Sequence, residues 1–308
     1  MFKEELNLEL LLEEFMFDLK VQNYSERTSG TYFYNSRLLI NYLKDEGVLS
    51  ADEVRVAHLK GFVHFMQAQG FKSNYINTCL KCARQFFNYL VRESYIPSNP
   101  LAKISPLKED KEVIRTFIDE EVVRMLNAYS YKTYLEARNK LIIAVFVDTG
   151  IRLSELIKLQ ENWIEDSVIR IHGKGSKWRY VPISPNLKKM ILRFNRIREG
   201  YFQRIEAKEG NYFLSRSGRH LSTVMVENVV RKAGERAKVR KEIRCSPHTL
   251  RHYALQAYLR QGLDVYSVSR IAGHEGIQVT NRYLQGLHSE DILERASTRS
   301  PLSGLKEL

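Results

Sequence analysis

Apolar residues return every three or four positions along residues 5–22, ELNLELLLEEFMFDLKVQ, the spacing that lays one apolar stripe along a helix. Residues 26–46 repeat the pattern and stop at Gly47, a plausible helix end because glycine tolerates the left-handed backbone found there. A third helix is predicted over about 56–69, closing at Gly70. A fourth starts near Ser73, read as its N-cap, and runs to about Ser94, where Ile96-Pro97-Ser98-Asn99-Pro100 stops it. Four such helices with short connections make a compact helical domain over residues 1–103.

The pattern then changes. Residues 104–115, ISPLKEDKEVIR, are polar and weakly periodic and read as a linker. Phe117-Ile118-Asp119-Glu120-Glu121 opens a helix with an acidic first turn, and residues 134–148 form a strongly apolar one ending at Thr149-Gly150. Over 167–183, SVIRIHGKGSKWRYVPI, alternation on both sides of Gly173-Lys174-Gly175-Ser176 predicts a β-hairpin. Helices return from about 185, apart from loops near 210–222 and 241–247. The expectation is a mainly α chain with a small β-sheet: a helical bundle, then a second, α+β domain over 116–308 whose tail is 284–308.

Composition narrows the class. A chain of 308 residues suits two domains, and 44% apolar residues are enough to build their cores. No apolar run approaches the roughly 20 residues a membrane span needs. The acidic, amphipathic start MFKEELNLELLLEEF differs from the basic start of a signal peptide, so a cytoplasmic, soluble protein is expected. Cys79-x-x-Cys82 is half of a zinc pattern, but Cys245 alone does not complete it. Both residues fall inside a helical pattern and read as buried structural cysteines, with no metal and no disulfide.

Charge adds a partner. The net charge is +12, and its distribution is uneven. Residues 1–54 hold five Lys/Arg against eleven Asp/Glu, whereas 55–107 hold seven against one and 108–308 hold 36 against 24. A basic half of one domain followed by a basic second domain suggests a polyanion gripped from two sides.

Four clusters carry candidate chemistry. Thr149-Gly150-Ile151-Arg152-Leu153-Ser154-Glu155-Leu156 places Arg152 just after a helix end, where a turn can aim it into a cleft or Glu155 can simply pair with it. Lys174 sits between two glycines at the hairpin tip. His248 and Arg251 in Pro247-His248-Thr249-Leu250-Arg251-His252 are three apart and share a helix face. In AGHEGIQVTNRYLQG, Tyr283 follows His274 by nine residues, which would point the two apart on one unbroken helix. Gly276 is expected to break that helix and fold them back toward one point. Together these groups suit attack on a phosphodiester. Arginine forks neutralise charge on phosphate oxygens, lysine or histidine can protonate the departing oxygen, and tyrosine can act as covalent nucleophile. No carboxylate cluster for magnesium and no G-x-x-x-x-G-K-[ST] appears, so neither metal nor ATP is expected, and no cofactor is assigned.

The order R…K…H-x-x-R…H…Y, with TGIRLSEL, GKG, HTLRH and GH followed by Tyr283, resembles the tyrosine recombinases, the family of phage integrases and Xer chromosome-dimer resolvases. The likeness spans essentially the whole chain and is nearest the short, Xer-like members without an added N-terminal arm-binding domain. Ala272 replaces a usual leucine before Gly-His, and Leu284-Gln285 replaces the Thr-His frequent in the Xer branch.

The resemblance implies a core-binding domain, a linker and a catalytic domain acting as a site-specific recombinase for integration, excision or resolution. Tyr283 would form a 3′-phosphotyrosyl link, and Arg152 and Arg251 would hold the phosphate. Lys174, with Lys177 close by, would protonate the 5′-oxygen. His248 would assist proton transfer by activating the tyrosine, and His274 would orient the phosphate. Implied partners are double-stranded DNA with inverted-repeat core sites, further copies of the chain forming a homo-tetramer on paired sites, and accessory proteins; the setting is the cytoplasmic nucleoid, and no membrane is involved. Lys72, Lys81, Arg84 and Arg92 on the basic third and fourth helices are candidate DNA contacts. A short helix in the tail, SEDILERAS, would dock on a neighbouring protomer. A type IB topoisomerase and a catalytically silent DNA-binding regulator are the alternatives.

Overall fold

The computed structural model of the protein describes residues 6–109, 114–173, 178–203, 205, 207, 209–274 and 276–284. The expected hairpin tip, including Lys174 and Lys177, and the tail beyond Leu284 lie outside the described residues. The chain divides into two units, Met1–Lys111 and Glu112–Leu308.

Four helices build the first unit: α1 (Leu8–Val21), α2 (Glu26–Asp45), α3 (Val56–Ala68) and α4 (Ser73–Arg92). Their ends follow local chemistry. Asn7 accepts from the Glu9 and Leu10 N–H groups, and Ser25 accepts from Thr28 N–H, which satisfies donors that the first turn leaves open. Ser73 is the first helical residue rather than the cap; Lys72 takes the cap position without a side-chain cap bond. The apolar stripes meet in one core that includes Leu11, Phe15, Leu39, Leu43, Phe62, Phe86, Phe87 and Leu90. Cys79 and Cys82 are buried in α4, and the Cys79 thiol lies 3.2 Å from Asn35 Oδ1. Burial pushes that thiol up to about 11, which keeps it protonated.

The first half of the expected linker is fastened to this unit. Ile104 is buried, and the Asn77 side chain both donates to the Leu107 carbonyl at 2.9 Å and accepts from its N–H at 2.8 Å. A polar composition signals exposure, but a single asparagine reproduces a backbone partner for an otherwise irregular segment.

The second unit contains α5 (Asp119–Asn127), α6 (Tyr134–Thr149), α7 (Leu153–Lys158), β1 (Val168–His172), β2 (Trp178–Pro182), α8 (Pro185–Phe202), α9 (Thr223–Arg236), α10 (Pro247–Arg260), α11 (Val265–Ala272) and α12 (Ile277–Leu284). The strands pair antiparallel with Ile169 opposite Val181 and Ile171 opposite Arg179. Leu141 to Phe146 are all buried, which explains the unbroken apolar run of α6: the helix is covered on every side. Helices α8 and α10 both pack on it.

Candidate active site

Two left-handed turns present the polar groups. Helix α6 ends at Gly150, with φ 62°, and the chain reverses into Arg152 at the N-cap of α7. Helix α11 ends at Gly273, with φ 64°, and the next residue is His274. Glycine occupies this region without the steric cost other residues meet. The helix is therefore interrupted between Ala272 and Ile277: Gly273 ends α11, and Gly276, the expected breaker, stands in the same gap just before α12.

Arg251 bridges the two turns. It is 4% exposed on α10. Its Nη1 donates to the Gly150 carbonyl at 2.6 Å, and its Nη2 donates to the Ala272 carbonyl at 2.8 Å and lies 3.0 Å from His274 Nε2. Burial and then the Arg152 charge lower its pKa to about 10, which leaves it cationic at neutral pH. Because a guanidinium only donates, His274 Nε2 accepts and Nδ1 carries the proton, which Thr280 Oγ1 takes at 2.7 Å. The neutral imidazole follows from its surroundings: burial, then Arg251, Arg152 and Arg179, push its pKa down to about 4.

Arg152 joins the same cluster. Its Nη2 donates to the Gly273 carbonyl at 2.6 Å, and its Nη1 donates to Glu155 Oε1 at 3.0 Å. Glu155 also accepts the Arg152 backbone N–H at 2.7 Å, as an N3 glutamate does at a helix start. Burial opposes its ionisation, but hydrogen bonds from Arg179 and the charges of Arg179 and Arg152 hold the carboxylate below its ordinary range.

Tyr283 lies against this group. Its ring is 6.2 Å from that of His274 at an interplanar angle of 7°. It is 4% exposed and packs with Leu255, Leu259, Val268 and Ala272. Its hydroxyl is 2.9 Å from Nδ1 of His252, whose ring is in edge contact with His248 at 4.0 Å between centroids. His248 itself is exposed. Five of the six sequence-predicted site residues thus fall into one chain of contacts, His248–His252–Tyr283–His274–Arg251, with Arg152 joined through Glu155 and Gly273. Lys174 lies outside the described residues.

Sequence reasoning missed His252, Glu155 as a shared carboxylate, and Arg179. His252 adjoins Arg251, and Glu155 was visible as a partner for Arg152. No local signal links Arg179 to Glu155, 24 residues earlier in the chain.

In the first unit, Lys72 and Lys81 are exposed. Arg84 turns inward, with Nη2 donating to the Ile104 carbonyl at 2.7 Å. Arg92 pairs with Asp18 at 2.8 Å and Glu93 at 2.9 Å and lies over the Tyr89 ring.

Residues 116–290 match the phage integrase family, and residues 12–94 match the phage integrase N-terminal SAM-like domain. The chain therefore belongs to the phage integrase family. Tyrosine recombinase XerC of Thermodesulfovibrio yellowstonii is 26% identical over 304 residues, covering 96% of this chain and 98% of the relative. Tyrosine recombinase XerD of Oceanobacillus iheyensis is 27% identical over 281 residues, covering 90% and 93%. The fold resembles that of the XerH site-specific recombinase bound to its palindromic difH substrate, with a TM-score of 0.75, 21% identity, and 94% and 83% of the two chains covered. A lambda integrase dimer bound to a core site gives a TM-score of 0.73 at 15% identity, over 90% and 77% of the two chains.

Proposed function

We propose that the protein is a site-specific DNA recombinase that cuts and rejoins strands through a 3′-phosphotyrosyl intermediate. The observation behind this reading is the contact chain in which the Tyr283 hydroxyl meets an imidazole nitrogen on one side while its ring lies beside the Arg251–His274 pair. Tyr283 Oη attacks the phosphorus, and its proton passes to His252 Nδ1. The bond to the 5′-oxygen breaks, and that oxygen takes a proton from Lys174 or Lys177. Arg152 and Arg251 offer N–H groups to the non-bridging oxygens, where charge grows in the transition state. Neutral His274 adds a positioned dipole without competing for the cationic role. The phosphotyrosyl bond conserves the energy of the broken diester, so a 5′-hydroxyl from a second strand can reverse the step on that strand.

The substrate in this reading is double-stranded DNA with inverted-repeat core sites. Further copies of the chain bind paired sites as a tetramer, exchange strands through a Holliday junction, and use the tail beyond Leu284 to couple neighbouring protomers; accessory proteins act on this assembly. Residues 1–103 bind DNA, with exposed Lys72 and Lys81 as the leading contacts; 104–115 connect, and 116–308 catalyse. The work is done at the nucleoid. Among the described residues no helix is long and apolar enough to cross a membrane.

The test is to map covalent attachment across DNA of the source genome, then place the mapped site on two plasmids. Recombinant plasmids carrying exchanged flanks support the reading. Relaxation of plasmids without any particular site, with no exchange, contradicts it.

A further inference from the structure

Arg179 stands at an inward-facing position of β2, opposite the buried Ile171. Its side chain is 14% exposed. A buried guanidinium is costly unless its donors are matched. Here they are. Nη1 and Nη2 form a two-pronged pair with Oε1 and Oε2 of Glu155 at 2.7 and 2.8 Å, and Nε donates to the Ile271 carbonyl at 2.9 Å. The fork also lies against the backbone of Gly273, where an added Cβ would come within 2.9 Å of Nε and 3.0 Å of Cδ and Cζ.

Two consequences follow. Glu155 is 5% exposed on its side chain and shared between Arg179 and Arg152. Without Arg179, the carboxylate would turn its full charge on Arg152, draw that guanidinium into a fork of its own, and repel an incoming phosphate. Arg179 also ties β2 to the end of α11 and the turn from which His274 projects.

We propose that Arg179 is a positioning residue for phosphoryl transfer, which neutralises Glu155 so that Arg152 stays available to the phosphate and which pins strand β2 to the end of α11 and the Gly273–His274 turn. This rests on the strand-transfer reading above.

The experiment uses the full chain on nicked duplex DNA containing its mapped site and reads three quantities: DNA affinity, the single-turnover rate of covalent adduct formation, and thermal unfolding. R179M is expected to bind DNA within about threefold of wild type but to form adduct ~100-fold more slowly, as befits an interaction realised in the transition state. Adding E155Q to R179M removes the unpaired carboxylate and is expected to restore the rate by ~10-fold, a rescue that a purely structural residue does not give. Should R179M fail to fold, R179K decides: it keeps a charge near Glu155 but loses the fork, and a loss of ~10-fold or more with wild-type unfolding supports the role. Wild-type rates for R179M or for R179K overturn it, as does an R179M/E155Q double variant no faster than R179M. A wild type that never forms adduct on any mapped fragment contradicts the reaction itself and takes the inference with it, whereas an active wild type alongside an equally active R179M contradicts the role of Arg179 alone.

Discussion

The hydroxyl of Tyr283 and Nδ1 of His252 are 2.9 Å apart, within the reach a nucleophile and its general base need. His252 follows Arg251 directly, so in the proposed reaction α10 would supply both the phosphate clamp and the proton acceptor from adjacent positions. General-base assistance is typically worth about a hundredfold or more, so His252→Ala is expected to slow adduct formation ~100-fold with DNA affinity intact. Single-turnover rates on nicked DNA check this. A rate equal to wild type would remove His252 from the proton path and return that role to His248.

The two arginines proposed to clamp the phosphate differ in what else they hold. Arg251 is buried and satisfies the carbonyls of Gly150 and Ala272, whereas the Arg152 side chain is 38% exposed. Removing Arg251 orphans buried acceptors, so Arg251→Met is expected to lose activity and about 2–4 kcal/mol of stability. Arg152→Met is expected to abolish adduct formation while costing about 1 kcal/mol or less, as partly exposed pairs do. Urea unfolding of both variants beside wild type separates the two; equal destabilisation would contradict the assignment of Arg251 as the brace between turns.

His274 makes stability depend on pH in a defined window. An unfolded histidine takes a proton near pH 6.5, but in the folded protein His274 holds off until about 4. Between those values the unfolded chain binds the extra proton, so acidification favours unfolding and stability rises with pH. The same interval should be flatter in His274→Gln, which has no titrating ring. Urea midpoints for both proteins at pH 7.5 and pH 5 give the comparison, and parallel losses in the two would show that His274 is not held neutral.

Gly273 and Gly276 separate what is necessary from what merely looks necessary. Gly273 has φ 64°, and a Cβ there would press on Arg179. The expectation for Gly273→Ala is a loss of about 1–2 kcal/mol from the left-handed backbone alone, with further disturbance of Arg179 and His274. At Gly276 an added Cβ meets, among the described residues, only the Gln278 side chain, at 3.1 Å, so Gly276→Ala is expected to stay within about 0.5 kcal/mol of wild type. Thermal unfolding of the two variants tests the ranking, which reversed values would overturn.

The same pair of glycines shows what could be seen from residues alone. Periodicity located the helices of the first unit and the hairpin, because spacing is a local property and each stripe faces a core. The motif order brought Arg152, Arg251, His274 and Tyr283 to notice, and the structure joins them. The break near Gly276 was legible, but the left-handed cap at Gly273 that ends α11 was not, since sequence spacing does not say which of two nearby glycines takes a positive φ. Nor was Arg179, whose partner Glu155 is brought near only when the hairpin packs on α11. Net charge drew attention to Arg84 and Arg92, but charge does not reveal direction: Arg84 turns to its own domain's carbonyls and Arg92 to Asp18.

The account stands or falls on the phenol of Tyr283 becoming bonded to DNA. Wild type and Tyr283→Phe, each incubated with nicked duplex DNA containing a mapped site and denatured in detergent, would be compared for a slow-migrating protein–DNA species and for the modified peptide by mass spectrometry. Wild type is expected to yield the adduct on the peptide containing Tyr283, and Tyr283→Phe to bind the DNA as tightly and yield none. An adduct formed by Tyr283→Phe, or one attached elsewhere in wild type, would contradict the central claim.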